Sequence, residues 1–227
     1  MLNRAIRLLR HGLCVAALTA LTGAPAFAGG NLMTTNDVGD MSGFYIGING
    51  GGGFGTSNLT GTNNGATTGD FSVSGGLAGI TGGFNYQQGP WLLGVEGDGD
   101  WADVTGSAPC PAGGFTCQTK NSWLATGRVR VGYQTFYNIV PYITGGLAAG
   151  DIEANIPGFG SQTKTEVGWT VGAGLEVPLT DAISVKAEYL YVDLGKMTCD
   201  IPNCSPTTPV DVSFHENVVR AGLNIRF

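Results

Sequence analysis

Twelve charged residues stand at alternating positions in otherwise apolar or glycine-rich stretches: Glu96, Asp98 and Asp100; Arg128 and Arg130; Glu166 and Glu176; Lys186 and Glu188; Glu216, Arg220 and Arg226. A spacing of two is the repeat of a β-strand, whose successive side chains point to opposite faces, so each group shares one face. If Trp101 faces Trp123 across a hairpin, Glu96 falls opposite Arg128 and diagonal to Arg130, where opposite charges attract. Charges gathered inside a closed sheet could line an ion path or binding site, or they could pair and fill the space. The second outcome is favoured if the strands number eight, because so narrow a barrel encloses a volume that side chains can fill.

Other patterns invite different chemistry. Glu96-Gly97-Asp98-Gly99-Asp100 has aspartates spaced by glycine, as in part of a calcium loop, but the distal bidentate carboxylate at fixed spacing is missing. A shared lumen wall explains the run better, and no metal or cofactor is expected. Gly50 to Gly53 has no following Lys-Ser or Lys-Thr and no helical pattern, so it reads as glycine at a strand end rather than a phosphate cradle. His215 has Ser213 two residues away but no firm acid beside it, which leaves a hydrolase triad incomplete. Cys110 with Cys117 and Cys199 with Cys204 form two local pairs among prolines. Zinc would require all four to converge, whereas two loop-closing disulfides need only an oxidising compartment.

These side chains need strands to hold them. Alternation places eight strands near 42 to 52, 72 to 86, 90 to 102, 121 to 134, 139 to 150, 164 to 177, 182 to 194 and 215 to 227. Each is about the ten residues that a tilted membrane strand requires. In the sixth, Val167, Trp169, Val171, Ala173, Leu175 and Val177 share one face, and Glu166, Gly168, Thr170, Gly172, Gly174 and Glu176 the other. The connections at 87 to 89, 135 to 138 and 178 to 181 are short, and those at 53 to 71, 103 to 120, 151 to 163 and 195 to 214 are long. Short periplasmic turns and long extracellular loops would put both termini in the periplasm. The last strand alternates from Val219 to Phe227 and closes on an aromatic residue, read as a girdle residue and terminal assembly signal. Such a strand escapes an exposed edge only by closure into a barrel.

The start of the chain points to export. Arg4, Arg7 and Arg10 precede an apolar stretch from Leu13 to Leu21 and the small-residue run Ala26-Phe27-Ala28, the order of a secretory signal peptide over 1 to 28. Cys14 continues the apolar stretch, which weighs against a lipoprotein. Residues 29 to 41 read as a flexible lead-in and 42 to 227 as the barrel. No apolar run beyond the signal is long enough for a membrane helix. The 39 glycines follow no collagen period and are interleaved with aromatic and β-branched residues, which weighs against a disordered linker. Without the three signal arginines, eight basic residues stand against seventeen acidic ones, a net charge of −9 that argues against a nucleic-acid partner.

Several segments together resemble a known family: Phe44-Tyr45-Ile46-Gly47, Arg128-Val129-Arg130-Val131-Gly132-Tyr133, Pro141-Tyr142-Ile143-Thr144-Gly145-Gly146-Leu147-Ala148, Gly168-Trp169-Thr170-Val171-Gly172-Ala173-Gly174-Leu175-Glu176, Glu188-Tyr189-Leu190-Tyr191-Val192-Asp193-Leu194-Gly195, and the terminal strand. They are similar to the small outer-membrane proteins of alphaproteobacteria known as porin-family or outer-membrane immunogenic proteins. The resemblance implies an all-β, eight-stranded antiparallel up-and-down transmembrane barrel of the opacity and OmpA type, in the outer membrane of a Gram-negative bacterium, with no catalytic motif to carry over. The expected role is structural and surface-exposed, as a surface antigen whose loops meet lipopolysaccharide or a host or environmental ligand. The barrel assembly machinery and outer-membrane lipid are the other expected partners. A small-solute porin is the alternative, and a lipid-modifying enzyme the remoter one.

Overall fold

The computed structural model describes residues 40–62, 65–110, 116–156, 160–200 and 209–227. The expected signal peptide and nearly all of the lead-in lie outside them. Among the described residues are eight strands: β1 (Gly43–Gly61), β2 (Phe71–Gln88), β3 (Trp91–Pro109), β4 (Thr116–Tyr133), β5 (Val140–Ile156), β6 (Gly160–Pro178), β7 (Ile183–Cys199) and β8 (Val210–Arg226). Each pairs antiparallel with its neighbour in sequence, and β8 returns to β1, so the sheet closes without an edge. Trp101 stands opposite Trp123 and Glu96 opposite Arg128.

The alternation explains how the wall is solvated. Ile46, Ile48, Ile80, Val95, Val129, Ile143, Val171 and Val219 point outward and are exposed. Aromatic residues flank this band. Phe44 packs on Phe84 at 4.8 Å and Trp91 on Tyr133 at 5.2 Å near the short turns, and Trp169 lies 5.4 Å from Tyr191 toward the long connections. Trp91 and Trp101 are ten residues apart on β3. At about 3.3 Å per residue and a tilt near 40°, that is roughly 25 Å along the barrel axis, the height of an outer-membrane apolar band.

The strands run 17 to 19 residues, well past the ten expected from alternation. The short-turn ends fall within a residue or two of the expected positions, whereas the other ends extend into what reads as long loop: β5 continues to Ile156, and Val210 already belongs to β8. Beyond the Trp101 level the pattern inverts its sign, and register shifts in β4 and β7 move its phase by one residue. Leu59, Val104, Ile152, Leu194, Val212 and Phe214 point inward and are at most 2% exposed. Their outward neighbours, such as Thr105, Ser213 and His215, are polar. Above the membrane the barrel is therefore built as a soluble protein is, around an apolar core.

Two local features bear on the wall. The β2–β3 turn has only Gly89 and Pro90 between its strands, and Gly89 takes φ +59°, as the first central position of a tight hairpin of this kind demands. The β6–β7 ladder stops at Trp169 opposite Asp193, although β6 stays paired with β5 and β7 with β8. Side chains close this seam instead. Lys164 Nζ donates to Thr198 O at 2.5 Å and to Asp200 at 3.0 Å, and the Asp200 amide donates to Gln162 at 2.7 Å. A disulfide joins Cys110 to Cys117, with Cα atoms 5.2 Å apart. Cys199 is buried, and Cys204 lies outside the described residues.

Candidate functional site

The chemistry sits in the lumen. Strand alternation turns Glu96, Asp98 and Asp100 of β3 inward with Arg128 and Arg130 of β4, Glu176 of β6, Lys186 and Glu188 of β7, and Glu216 and Arg220 of β8. Arg128 is a hub: its guanidinium lies 2.5 Å from Glu96, 2.7 Å from Asp98 and 2.8 Å from Glu188. Arg220 is the second, 2.8 Å from Asp100, 2.8 Å from Glu188 and 3.0 Å from Asp98. Arg130 pairs with Glu176 and reaches Glu96 at 3.4 Å, while Lys186 meets Glu96 at 2.7 Å. Charge-assisted contacts between β3, β4, β6, β7 and β8 thus cross the whole section of the barrel.

Neutral side chains complete it. Tyr45 donates to Glu96 at 2.7 Å and Tyr142 to Glu188 at 3.1 Å, and the Arg130 guanidinium lies 4.5 Å from the Tyr142 ring centre. Thr81 and Thr126 donate to Asp98 at 2.7 and 2.8 Å; Ser184 and Asn224 donate to Glu176 at 2.6 and 3.1 Å. None of these was singled out from the sequence. Their parity within the strands would have placed them inward, but hydroxyls and amides there carry no signal of their own. The backbone also comes close: a Cβ at Gly146 would stand 2.1 Å from the Gly127 carbonyl oxygen, so only glycine lets β5 pass behind Arg128.

Three expected members stand apart. Glu166 is half-buried in the part of β6 that is not paired with β7. Arg226 is half-buried at the rim, where it donates to the Asp181 carbonyl at 2.8 Å. Glu216 is buried with the others, but its carboxylate meets no donor of the protein.

The remaining motifs resolve as geometry. Gly50 to Gly53 lie within β1, paired with β2 and β8, rather than at a strand end. His215 and Ser213 face out from β8, and register places an acid opposite His215 after all: Asp193. That carboxylate accepts from the Gly195 amide at 2.7 Å instead, so no relay forms. On the lipid side, a shallow groove of about 680 Å³ is lined by Trp91, Tyr133, Ile143, Leu175 and Tyr189, an apolar surface matched to hydrocarbon. Phe227 is exposed at the short-turn rim, its amide donating to the Phe44 carbonyl at 3.1 Å, so the last residue of the chain and the start of β1 share one rim.

A closed antiparallel barrel with an apolar belt, aromatic girdles and a polar lumen defines the class, a transmembrane β-barrel of the outer-membrane type. Residues 14–227 match the family described as outer membrane protein beta-barrel domain, and the chain belongs to that family. It is 35% identical over 209 residues to the 31 kDa outer-membrane immunogenic protein of Brucella melitensis, covering 84% of this chain and 85% of the relative. It is 33% identical over 195 residues to the 22 kDa outer membrane protein of Rhizobium leguminosarum bv. viciae, covering 83% and 79%. Among solved structures, OprG from Pseudomonas aeruginosa superposes with a TM-score of 0.50 at 15% identity, over 85% of this chain and 100% of that one, a likeness of fold. The protein is an outer-membrane β-barrel.

Proposed function

We propose that this protein is a closed structural barrel of the outer membrane that presents its long connections to the outside, and that its lumen carries no solute. The observation that supports this is the plug: side chains of Arg128, Arg130, Lys186 and Arg220 are at most 1% exposed, and they lie under the apolar core around Val104, Ile152 and Phe214. Steady aqueous channels belong to barrels of many more strands. In this reading the rim shared by Phe227 and β1 is periplasmic, Phe227 is read by the barrel assembly machinery, and residues 1 to 28 are removed on export. The long connections, braced by Cys110–Cys117 and by a Cys199–Cys204 pair, meet lipopolysaccharide and host or environmental ligands. The name of the Brucella relatives, outer-membrane immunogenic proteins, supports surface exposure. No reaction is assigned, since His215, Ser213 and Asp193 form no relay.

The test is a deletion strain. Loss of the protein should sensitise cells to detergents and large antibiotics while leaving uptake of small solutes unchanged, and tags at Thr68 but not at Gln88 should be reached by antibody on intact cells. Slowed small-solute uptake with an intact permeability barrier would replace this reading with transport.

A further inference from the structure

The barrel wall is open to new pairing in one place. β6 pairs with β5 from Gly160 to Glu176, but its ladder with β7 ends at Trp169 opposite Asp193. β7 meanwhile stays with β8, taking up a bulge between Asp193 and Lys196 where Gly195 adopts φ +75°. Bulges of this kind terminate pairing, and the ladder to β6 does not resume beyond it. The edge this leaves on β6 is well formed: Ser161 to Val167 include neither glycine nor proline, and Thr163, Thr165 and Val167 are strand-forming residues with exposed side chains. Alternate residues of a strand turn both N–H and C=O toward one neighbour, so about three or four residues between Ser161 and Gly168 aim their backbone into the seam. What spans the seam is a clasp of side chains. Lys164 Nζ donates to Thr198 O and to Asp200, Gln162 Nε2 donates to Asp200 Oδ2 at 3.3 Å, and the Asp200 amide donates to Gln162. All of these contacts are exposed, and an exposed ion pair contributes little. The seam opens at the level of Trp169 and Tyr191, past the apolar belt, so its edge stands in water.

We propose that the upper β6–β7 seam is a docking site for an extended polypeptide strand, which adds to the β6 edge through backbone hydrogen bonds and displaces the clasp. An unpaired edge is a template for another strand, and strand addition takes its affinity from main-chain bonds and its selectivity from alternate side chains. A lipid chain or apolar ligand brings no row of donors and acceptors to such an edge, and a folded surface does not enter between two strands. The flanking residues define the guest. On the lumen side it meets Leu194 and Met197 of β7, both at most 1% exposed, beside the half-buried Lys164 and Glu166. On the outer side it lies among the exposed Thr163, Thr165 and Lys196. The matching guest is therefore a strand of about six to eight residues, apolar where it turns toward β7 and polar where it turns outward. This surface is separate from the charged plug and stands whether or not solute crosses the lumen.

The experiment uses the purified barrel in detergent and, as probe, a fluorophore-labelled synthetic octapeptide of alternating threonine and valine. Fluorescence polarisation should show saturable binding, and hydrogen exchange should slow across residues 161 to 168. N-methylation at alternate residues removes one row of backbone donors, and one of the two methylated forms should bind about tenfold more weakly or worse. Lys164→Ala should tighten binding by up to about fivefold, the worth of the exposed pair it removes. Joining Gln162→Cys to Asp200→Cys with a short bifunctional thiol reagent should close the seam and abolish binding. The heat-dependent gel shift of the folded barrel should be unchanged in both variants, which separates docking from folding. Equal binding by both methylated forms and the parent peptide, or binding that survives the cross-link, would overturn the strand-addition site. So would an absence of binding to both wild type and Lys164→Ala. Dimers that form without peptide and are lost on cross-linking would overturn it in favour of a second copy of this chain.

Discussion

Arg128→Ala is the sharpest probe of the lumen. The substitution removes a cation that lies 2.5 Å from Glu96, 2.7 Å from Asp98 and 2.8 Å from Glu188, at a site where its side chain is 0% exposed. Breaking a buried pair from one side costs about 3 to 5 kcal/mol, chiefly because the charge left behind is uncompensated. Here each carboxylate keeps a second cation, Lys186 for Glu96 and Arg220 for Asp98 and Glu188. The lower end of the range therefore applies, about 3 kcal/mol. For a chain of this size, 1 kcal/mol moves the midpoint by about 2 to 4 °C, so a fall of roughly 6 to 12 °C is expected. The heat-dependent gel shift of the folded barrel in detergent reads it directly. Glu96→Gln in the Arg128→Ala background should restore part of the loss, since it removes one of the stranded charges. The exposed Thr163→Ala should stay within about 0.5 kcal/mol of wild type. A midpoint for Arg128→Ala indistinguishable from wild type would refute the claim that these pairs hold the barrel together.

Three further outcomes follow from the same geometry. Gly146→Val forces a side chain into the Gly127 carbonyl, and the variant should fail to reach the outer membrane, as blotting of membrane fractions would show. Replacing Cys110 and Cys117 with serine should quicken proteolysis of the β3–β4 connection at little cost to the barrel midpoint. Such a short loop yields at most a few kcal/mol in chain-entropy models, and engineered cases often give less. The Lys164 hydrogen bond, then Gln162 and the Lys164 charge, hold the exposed Asp200 carboxyl below its usual range. A depressed folded value means that the clasp is intact above the ordinary carboxylate range and is lost as pH falls through that folded value. Hydrogen exchange along the upper β6–β7 seam should rise on acidification, and Asp200→Asn should raise it at neutral pH.

Much of the wall was legible because a membrane strand writes its period plainly. The alternation from Val219 to Phe227 and the pairing of Trp101 with Trp123 fix the faces and the register, and with them Glu96 opposite Arg128. The outer halves were not legible, because a membrane strand turns polar side chains in and apolar ones out, and Ile152, Ala154 and Ile156 obey the reverse. Glu166 follows lumen parity, yet it sits above the point where β6 parts from β7, and nothing local marks where a ladder stops. Asp193 beside His215 depended on the register of two strands and a shift after Asp193, which no single segment contains.

The central claim is that paired charges close the lumen, and planar-bilayer recording of verified monomer tests it most directly. The wild type should show only rare, small openings, and Arg128→Ala should raise their frequency or size. Steady, large conductance from wild-type monomer would contradict the plug and give the protein to transport.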